Sequence, residues 1–389
     1  MRTARLGEVA EIVSGATPKT SIEDYWGGDI LWATPADLSK LDGACINSTS
    51  RTITEAGLRS CAAQVLPTGS VLLSSRAPIG HVAINTNPMA TNQGFKSLIP
   101  HPDLADAKYL YHWLRANAEY LQSLGNGATF KEVSKAVVSK IEVPLPPLDE
   151  QRRIAAILDH ADALRAKRRN ALAQLDDLQS ALFIDIFGPP HTWRNRWDMG
   201  TIGDMAEDVQ YGTSAKAGDH GSLPIVRMGN ITDSGRLDLS DLKWIDIPQC
   251  DLPKFTVRRG DLLFNRTNSR EKVGKTCVVE TDDELVFAGY LVRVRMKPEH
   301  TPEFVNAYMT SRHGRALRYG MAKTAVNQAN INASEMRSIP IALPPKEIQE
   351  RFSKIVTNID SQRQKHQLAL VVADELFASL QYRAFQGEL

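Results

Sequence analysis

The densest chemistry in this sequence is cationic. Lys254, Arg258, Arg259, Arg266, Arg270, Lys272 and Lys275 fall in one short stretch whose only acids are Asp261 and Glu271. A second group, Arg312, Arg315, Arg318 and Lys323, steps by threes along a helical pattern, which predicts one arginine-bearing face. Guanidinium and ammonium groups on loops and a helix face suit phosphate contact. Arg266, Asn268, Arg270, Asn327 and Gln328 carry the donors and acceptors that read base edges. The first half offers a more polar set at matching places: Ser74, Ser75, Arg76, Asn92, Gln93, Lys96, Asn126 and Lys131. If both halves bind nucleic acid, the different letters predict different target sequences. The competing reading is a surface of ordinary ion pairs.

Motifs for catalysis are missing. Gly274-Lys275-Thr276 copies the end of a phosphate-binding loop, but Ser269 stands where Gly-x-x-x-x-Gly-Lys-Thr requires its first glycine. There is no Gly-x-Gly-x-x-Gly fingerprint, no Asn-Pro-Pro-aromatic tetrapeptide, no His-x-x-x-His and no Gly-x-Ser-x-Gly. Asp282-Asp283-Glu284 reads as a solvated acidic turn. Cys45, Cys61, Cys250 and Cys277 lie too far apart for a zinc site or a disulfide framework. The expectation is therefore a binding protein with no catalytic residue, no metal and no cofactor of its own.

Positioning such groups falls to two copies of one plan. The 389 residues carry a net charge of +1 and are 42% hydrophobic, so local basic patches sit on a neutral globular body. No apolar run reaches membrane-span length and no signal-like leader is seen, which predicts a soluble cytoplasmic protein. Leu6-Gly7-Glu8-Val9-Ala10 recurs as Ile202-Gly203-Asp204-Met205-Ala206, and Pro146-Pro147 with Gln151 recurs as Pro344-Pro345 with Gln349, both about 196–198 residues on. Between these markers each half reads as mixed α/β and ends in a long helix.

Those helices follow strict 3-4 apolar spacing, from Ile154 and Ile157 through Leu164 and Leu175 in one and from Phe352 through Ile355 to Leu380 in the other. At roughly 40 residues each they would run about 60 Å. One apolar stripe cannot stand alone in water, so the two are expected to pair antiparallel. Their polar midpoints, Arg168 against Gln362 and His366, would then form a register layer.

The junction PLPPLDEQRRIAAIL, the connection IFGPPHTWRNRWDMGTIGD, the repeat and the helices together resemble the specificity (S) subunit of type I restriction-modification systems. The resemblance covers essentially the whole chain. It implies an α+β, mixed fold with an internal pseudo-two-fold repeat. Two similar α/β target recognition domains (1–147 and 188–345) would alternate with two spacer helices (148–187 and 346–389) forming an antiparallel coiled coil. It implies a bipartite, asymmetric double-stranded DNA site and helix length as a ruler. Two methyltransferase subunits would dock largely through the helices, at positions such as Glu150, Gln151, Ile154, Ile157, Leu164, Leu175, Gln349, Phe352 and Ile355. Restriction-translocase subunits would join for cleavage, and S-adenosylmethionine, ATP and Mg would belong to those partners. The second junction, Lys346-Glu347-Ile348-Gln349-Glu350, departs from Leu148-Asp149-Glu150-Gln151-Arg152 of the first. Two other classes stay open: a self-contained methyltransferase or nuclease with two recognition modules, and a coiled-coil adaptor whose ends bind proteins.

Overall fold

Gly69 ahead of the strand Val71–Leu73 and Gly260 ahead of Leu262–Asn265 both take φ +86°, a conformation a side chain would strain. The same turn thus feeds the same strand in each half. A computed structural model describes residues 2–41, 43–76, 78–126, 131–325 and 328–389. It divides into two compact units, Met1–Arg169 with Leu368–Leu389, and Asn170–Gln367.

In the first unit the main sheet runs in the order Ala10–Ser14, Lys96–Pro100, Val71–Leu73, Val82–Asn85 and Cys45–Ile46. The second unit repeats the first four places with Ala206–Tyr211, Leu291–Met296, Leu262–Asn265 and Thr276–Val278. Each unit also closes on a two-stranded antiparallel pair. Thr3–Arg5 lies against Glu142–Pro144, and Met199–Thr201 lies against Pro340–Ala342. The strand before each proline junction is therefore tied back to the strand that opens the domain.

The long helices span Leu148–Phe187 and Lys346–Gln386. Gly188, at φ +78° with Pro189 behind it, stops the first. Both units contain a piece of each helix, and the pieces pair antiparallel. In the first, Arg165 reaches Asp374 at 2.5 Å. In the second, Arg363 reaches Asp176 at 2.7 Å, and Phe187 packs on Phe352 with ring centroids 5.2 Å apart.

The apolar stripe is not the narrow 3-4 seam. Gln151, Ile154, Ala155, Leu158 and Ala161 are buried, Ile157, Leu175 and Ile355 half-buried, and Leu164 and Leu178 exposed at 44% and 46%. Each helix packs against its own recognition domain as well as against the other helix, which widens and turns the buried face. Ile154 and Leu158 join a core with Tyr109, Phe377 and Ala384. Phe183 and Phe187 join Trp193, Phe304 and Phe352 in an aromatic core, Phe187 and Phe304 being 4.5 Å apart.

Candidate functional site

Both units rest on a buried glutamine. Gln151 is fully buried; its Oε1 accepts from the Asp106 N–H at 2.9 Å and its Nε2 donates to the carbonyls of Leu104 and Pro146 at 3.0 and 2.9 Å. Gln349 is equally buried and accepts from the Thr301 N–H at 3.0 Å while donating to the Pro344 carbonyl at 2.7 Å. Asp106 and Thr301 are the N-caps of the helices Ala107–Ala116 and Pro302–Thr310. One amide thus ties the proline junction to the start of a domain helix. An apolar replacement would orphan these groups at about 1–3 kcal/mol each. The two glutamines, with Ile154 and Phe352 beside them, are inside the fold, which corrects the expectation that they meet a partner.

A charge cluster repeats one step further along. Asp162 pairs with Arg165 at 2.7 Å, Arg165 with Asp374, and Arg115 reaches Asp162 at 3.1 Å. In the second unit Asp360 pairs with Arg363 at 3.5 Å, Arg363 with Asp176, and Arg236 with Asp360. The corresponding residues of the two helices stand in the same order, while the third cation comes from a helix in one unit and from a loop in the other. Of the expected register layer, Arg168 belongs to the first unit and Gln362 and His366 to the second. Within each unit the ion pairs from helix to helix join Arg165 and Arg169 to Asp374 and Arg363 to Asp176.

The second unit carries a cleft of about 1010 Å³. It is lined by Thr213 to Ala217, Arg227 to Asn230, Arg266 to Asn268, Lys272, Lys275 and the Gly289-Tyr290 turn. Its walls are stapled together: Thr213 N–H donates to the Phe287 carbonyl at 3.0 Å and Gly289 N–H to the Thr213 carbonyl at 2.7 Å. A Cβ on Gly212 would stand 2.3 Å from the Ala288 carbonyl, so glycine permits that approach. Among the described residues Lys216, Arg266, Arg270 and Lys272 have no ion-pair partner. Arg266 lies over the Tyr211 ring at 4.9 Å and Arg270 over Tyr319 at 4.4 Å.

Other cations of the stretch are already engaged. Arg259 grips Asp282 at 2.8 Å, Arg258 stands 3.8 Å from Asp261, and Lys275 is buried, donating to the Ile231 carbonyl at 2.5 Å. The arginine face is also narrower than its spacing predicts. Arg312 and Arg315 are exposed, but Arg318 is 95% buried, and burial together with Arg315 pulls its guanidinium down to about 10. Steps of three residues fall short of a full helical turn, so two steps carry the last arginine about 120° round the helix into the core. Lys323 pairs with Glu335, Gln328 is exposed, and Asn327 lies outside the described residues.

The first unit holds its set differently. Ser74 and Ser75 are buried; the Ser74 hydroxyl donates to the Pro78 carbonyl at 2.6 Å and the Ser75 hydroxyl to the Gly94 carbonyl at 3.1 Å. They shape their loop and do not face a ligand. Arg76 and Lys96 share Glu132 at 2.9 and 3.2 Å. Burial pushes that carboxyl up, but the hydrogen bonds from Lys96 and Arg76 outweigh it and hold it below the usual range. Asn92 is half-buried and accepts from the Gly94 N–H, Gln93 takes a bond from Thr17, and Asn126 and Lys131 are exposed. Along the first helix Glu150 pairs with Arg153 at 2.7 Å. Sequence reasoning missed Tyr211, Lys216 and Tyr290 at the cleft. Isolated tyrosines and one lysine carry no periodic signal, and only the fold sets Tyr211 under Arg266, the Tyr290 carbonyl on the Arg266 N–H and Lys216 in the same cleft lining.

A family model described as the type I restriction modification DNA specificity domain matches the chain twice, over residues 1–174 and 195–371. The chain is 25% identical over 409 aligned positions to the type I restriction enzyme MjaIX specificity subunit of Methanocaldococcus jannaschii, covering 99% of this chain and 92% of the relative. It is 25% identical over 338 positions to the EcoKI specificity subunit of Escherichia coli, covering 81% and 73%. In fold it is similar to the type I restriction-modification S subunit from M. genitalium, with a TM-score of 0.61 at 12% identity over 99% of this chain and 96% of that one.

Proposed function

We propose, because this chain belongs to the type I restriction modification DNA specificity family, that it is the non-catalytic DNA-reading subunit of a type I restriction-modification complex. Each recognition domain reads one half of a split, asymmetric duplex site. The observation that carries this reading is the repeat: the two units share sheet order, closing strand pair and glutamine joint, yet present different loops. A shared frame with divergent loops suits two readers of different sequences.

Two methyltransferase subunits dock along the long helices, where Leu164, Leu178, Leu368, Val372 and Leu376 stay exposed. S-adenosylmethionine is bound by those subunits, and ATP with Mg by the restriction-translocase subunits that add cleavage. This chain supplies neither. Among the described residues no helix is long and apolar enough to cross a membrane, and no group of acids, histidines and cysteines is set to hold a metal.

The decisive experiment maps modified adenines in the source genome with and without the gene. A split motif that disappears on deletion supports the reading; no change in modification overturns it. Adding one heptad to both helices should lengthen the unread spacer and leave both half-sites unaltered, because the helices are then the ruler. An unchanged spacer in the methylation map would remove the ruler role.

A further inference from the structure

The cleft of the second unit is a donor array. Arg266 is clamped through its backbone, its N–H donating to the Tyr290 carbonyl at 3.0 Å and its carbonyl accepting from the Ile331 N–H at 2.9 Å. Its guanidinium lies over Tyr211 at 4.9 Å, and the Tyr211 hydroxyl is itself held by the Ala333 N–H at 3.0 Å. The stem is therefore fixed before any ligand arrives, while its Nε is buried without a hydrogen-bond partner and its guanidinium has no ion-pair partner among the described residues. Beside it, Asn268 accepts the Ser269 N–H on Oδ1 at 2.8 Å, which fixes the amide and leaves both Nδ2 donors free.

The acids that line the cleft are engaged as well. Arg227 takes Asp241 at 3.1 Å, and Asp238 accepts from the Ser240 N–H at 2.9 Å. Apart from the Asp238 carboxylate, what the cleft offers a ligand is mostly donors: the Arg266 fork, the Asn268 amide and the ammonium groups of Lys216 and Lys272. In the major groove guanine alone presents two acceptors, N7 and O6, and no donor on the purine edge, and a guanidinium fork spans them. Adenine needs a side chain that both donates and accepts, and a guanidinium only donates.

We propose that Arg266, held by Tyr211, reads a guanine in the half-site of the second domain, with the Asn268 amide beside it and Lys216 and Lys272 anchoring the flanking phosphates. This rests on the reading of the chain as a DNA specificity subunit.

The test uses the complex with its methyltransferase subunits, comparing wild type, Arg266→Lys and Lys272→Ala by methylation-motif mapping and by DNA binding across a salt series. Arg266→Lys keeps the charge and loses the fork. It should accept other base pairs at one position of one half-site, with discrimination there falling about 10- to 100-fold, the other half-site intact and the salt slope unchanged. Lys272→Ala should weaken binding evenly over all sequences and lower the salt slope by about 1. An unchanged motif in Arg266→Lys overturns the guanine contact and leaves Arg266 a phosphate ligand. Retained affinity and slope separate lost reading from lost folding. A wild-type complex that shows no split motif overturns the underlying reading, and it does so without any variant.

Discussion

In the first unit Arg76 and Lys96 are held on one carboxylate, Glu132, whereas in the second Arg266 and Lys272 line a cleft and form no ion pair among the described residues. Below these surfaces the units differ far less. Each has a buried glutamine at the proline junction and an Asp-Arg pair on one helix reaching an aspartate on the other. The contrast follows from what each place can tolerate. A buried amide with three bonds can be changed only by orphaning several backbone groups at once. A loop donor facing water can be exchanged at small cost in stability, so the reading surfaces are free to differ while the joints stay alike.

The joint itself gives the largest contrast. The Asp360 side chain is 9% exposed and holds Arg236 and Arg363, while its counterpart Asp162 is 23% exposed and holds Arg115 and Arg165. Asp360→Ala leaves Arg236 and Arg363, two largely buried guanidinium groups, sharing Asp176 alone, so it should cost about 3 kcal/mol. Asp162→Ala, nearer to water, should cost about 1–2 kcal/mol. Urea midpoints at constant slope measure both. Equal losses would mean that the two joints are energetically as alike as they are geometrically.

How far the sequence foretells this architecture depends on the range of the signal. The repeat and the two helices were legible because prolines, a glutamine and helical periodicity are local patterns, and the helices start at Leu148 and Lys346 as those patterns require. The expected mid-helix layer of Arg168, Gln362 and His366 came from reading polar letters in one stripe. That stripe did not single out Arg165 with Asp374 or Arg363 with Asp176, the pairs that link helix to helix within each unit, because each helix buries a broader face than a two-stranded seam would. At the candidate interface, residue type marked where cations lie in the chain but could not tell a free cation from a paired one. Arg266 and Arg259 look alike in sequence; one lies on Tyr211 and the other on Asp282.

Glu132 offers a direct way to erode the contrast between the surfaces. Glu132→Gln removes the charge that Arg76 and Lys96 share, and Arg76 is 45% exposed and so placed to turn outward. Sequence-independent DNA affinity should then rise about 3- to 10-fold at low salt, with a slope steeper by up to about 1. Binding measured across a salt series would show it. A flat response would place the Arg76–Glu132 pair away from the DNA and reduce it to a pin between two loops.

The smallest effect separates the units by pH. His112 is 1% exposed, with Nε2 at 2.8 Å from Asp159 and Nδ1 buried without a partner among the described residues. Burial pulls its pKa below the ordinary 6.5, outweighing the opposing bond to Asp159. His300 in the second unit is also lowered by burial, but it is only half-buried. A histidine kept neutral in the fold lets the unfolded chain take up more protons as pH falls. Its contribution is therefore complete above about 6.5 and is lost progressively as pH drops from there toward the folded value. Asp159, held low by Lys108 and His112 against the push of burial, acts only at more acid pH; Glu280 of the second unit, pushed up to about 7 by burial and by Asp360, titrates in this window with the opposite sign, and both variants retain it. Between about pH 7.5 and 5.5, His112→Gln should flatten the fall in urea midpoint more than His300→Gln does. If His300→Gln flattens it as much, the deeper burial of His112 carries no extra proton linkage, and the first unit's difference ends at its surface.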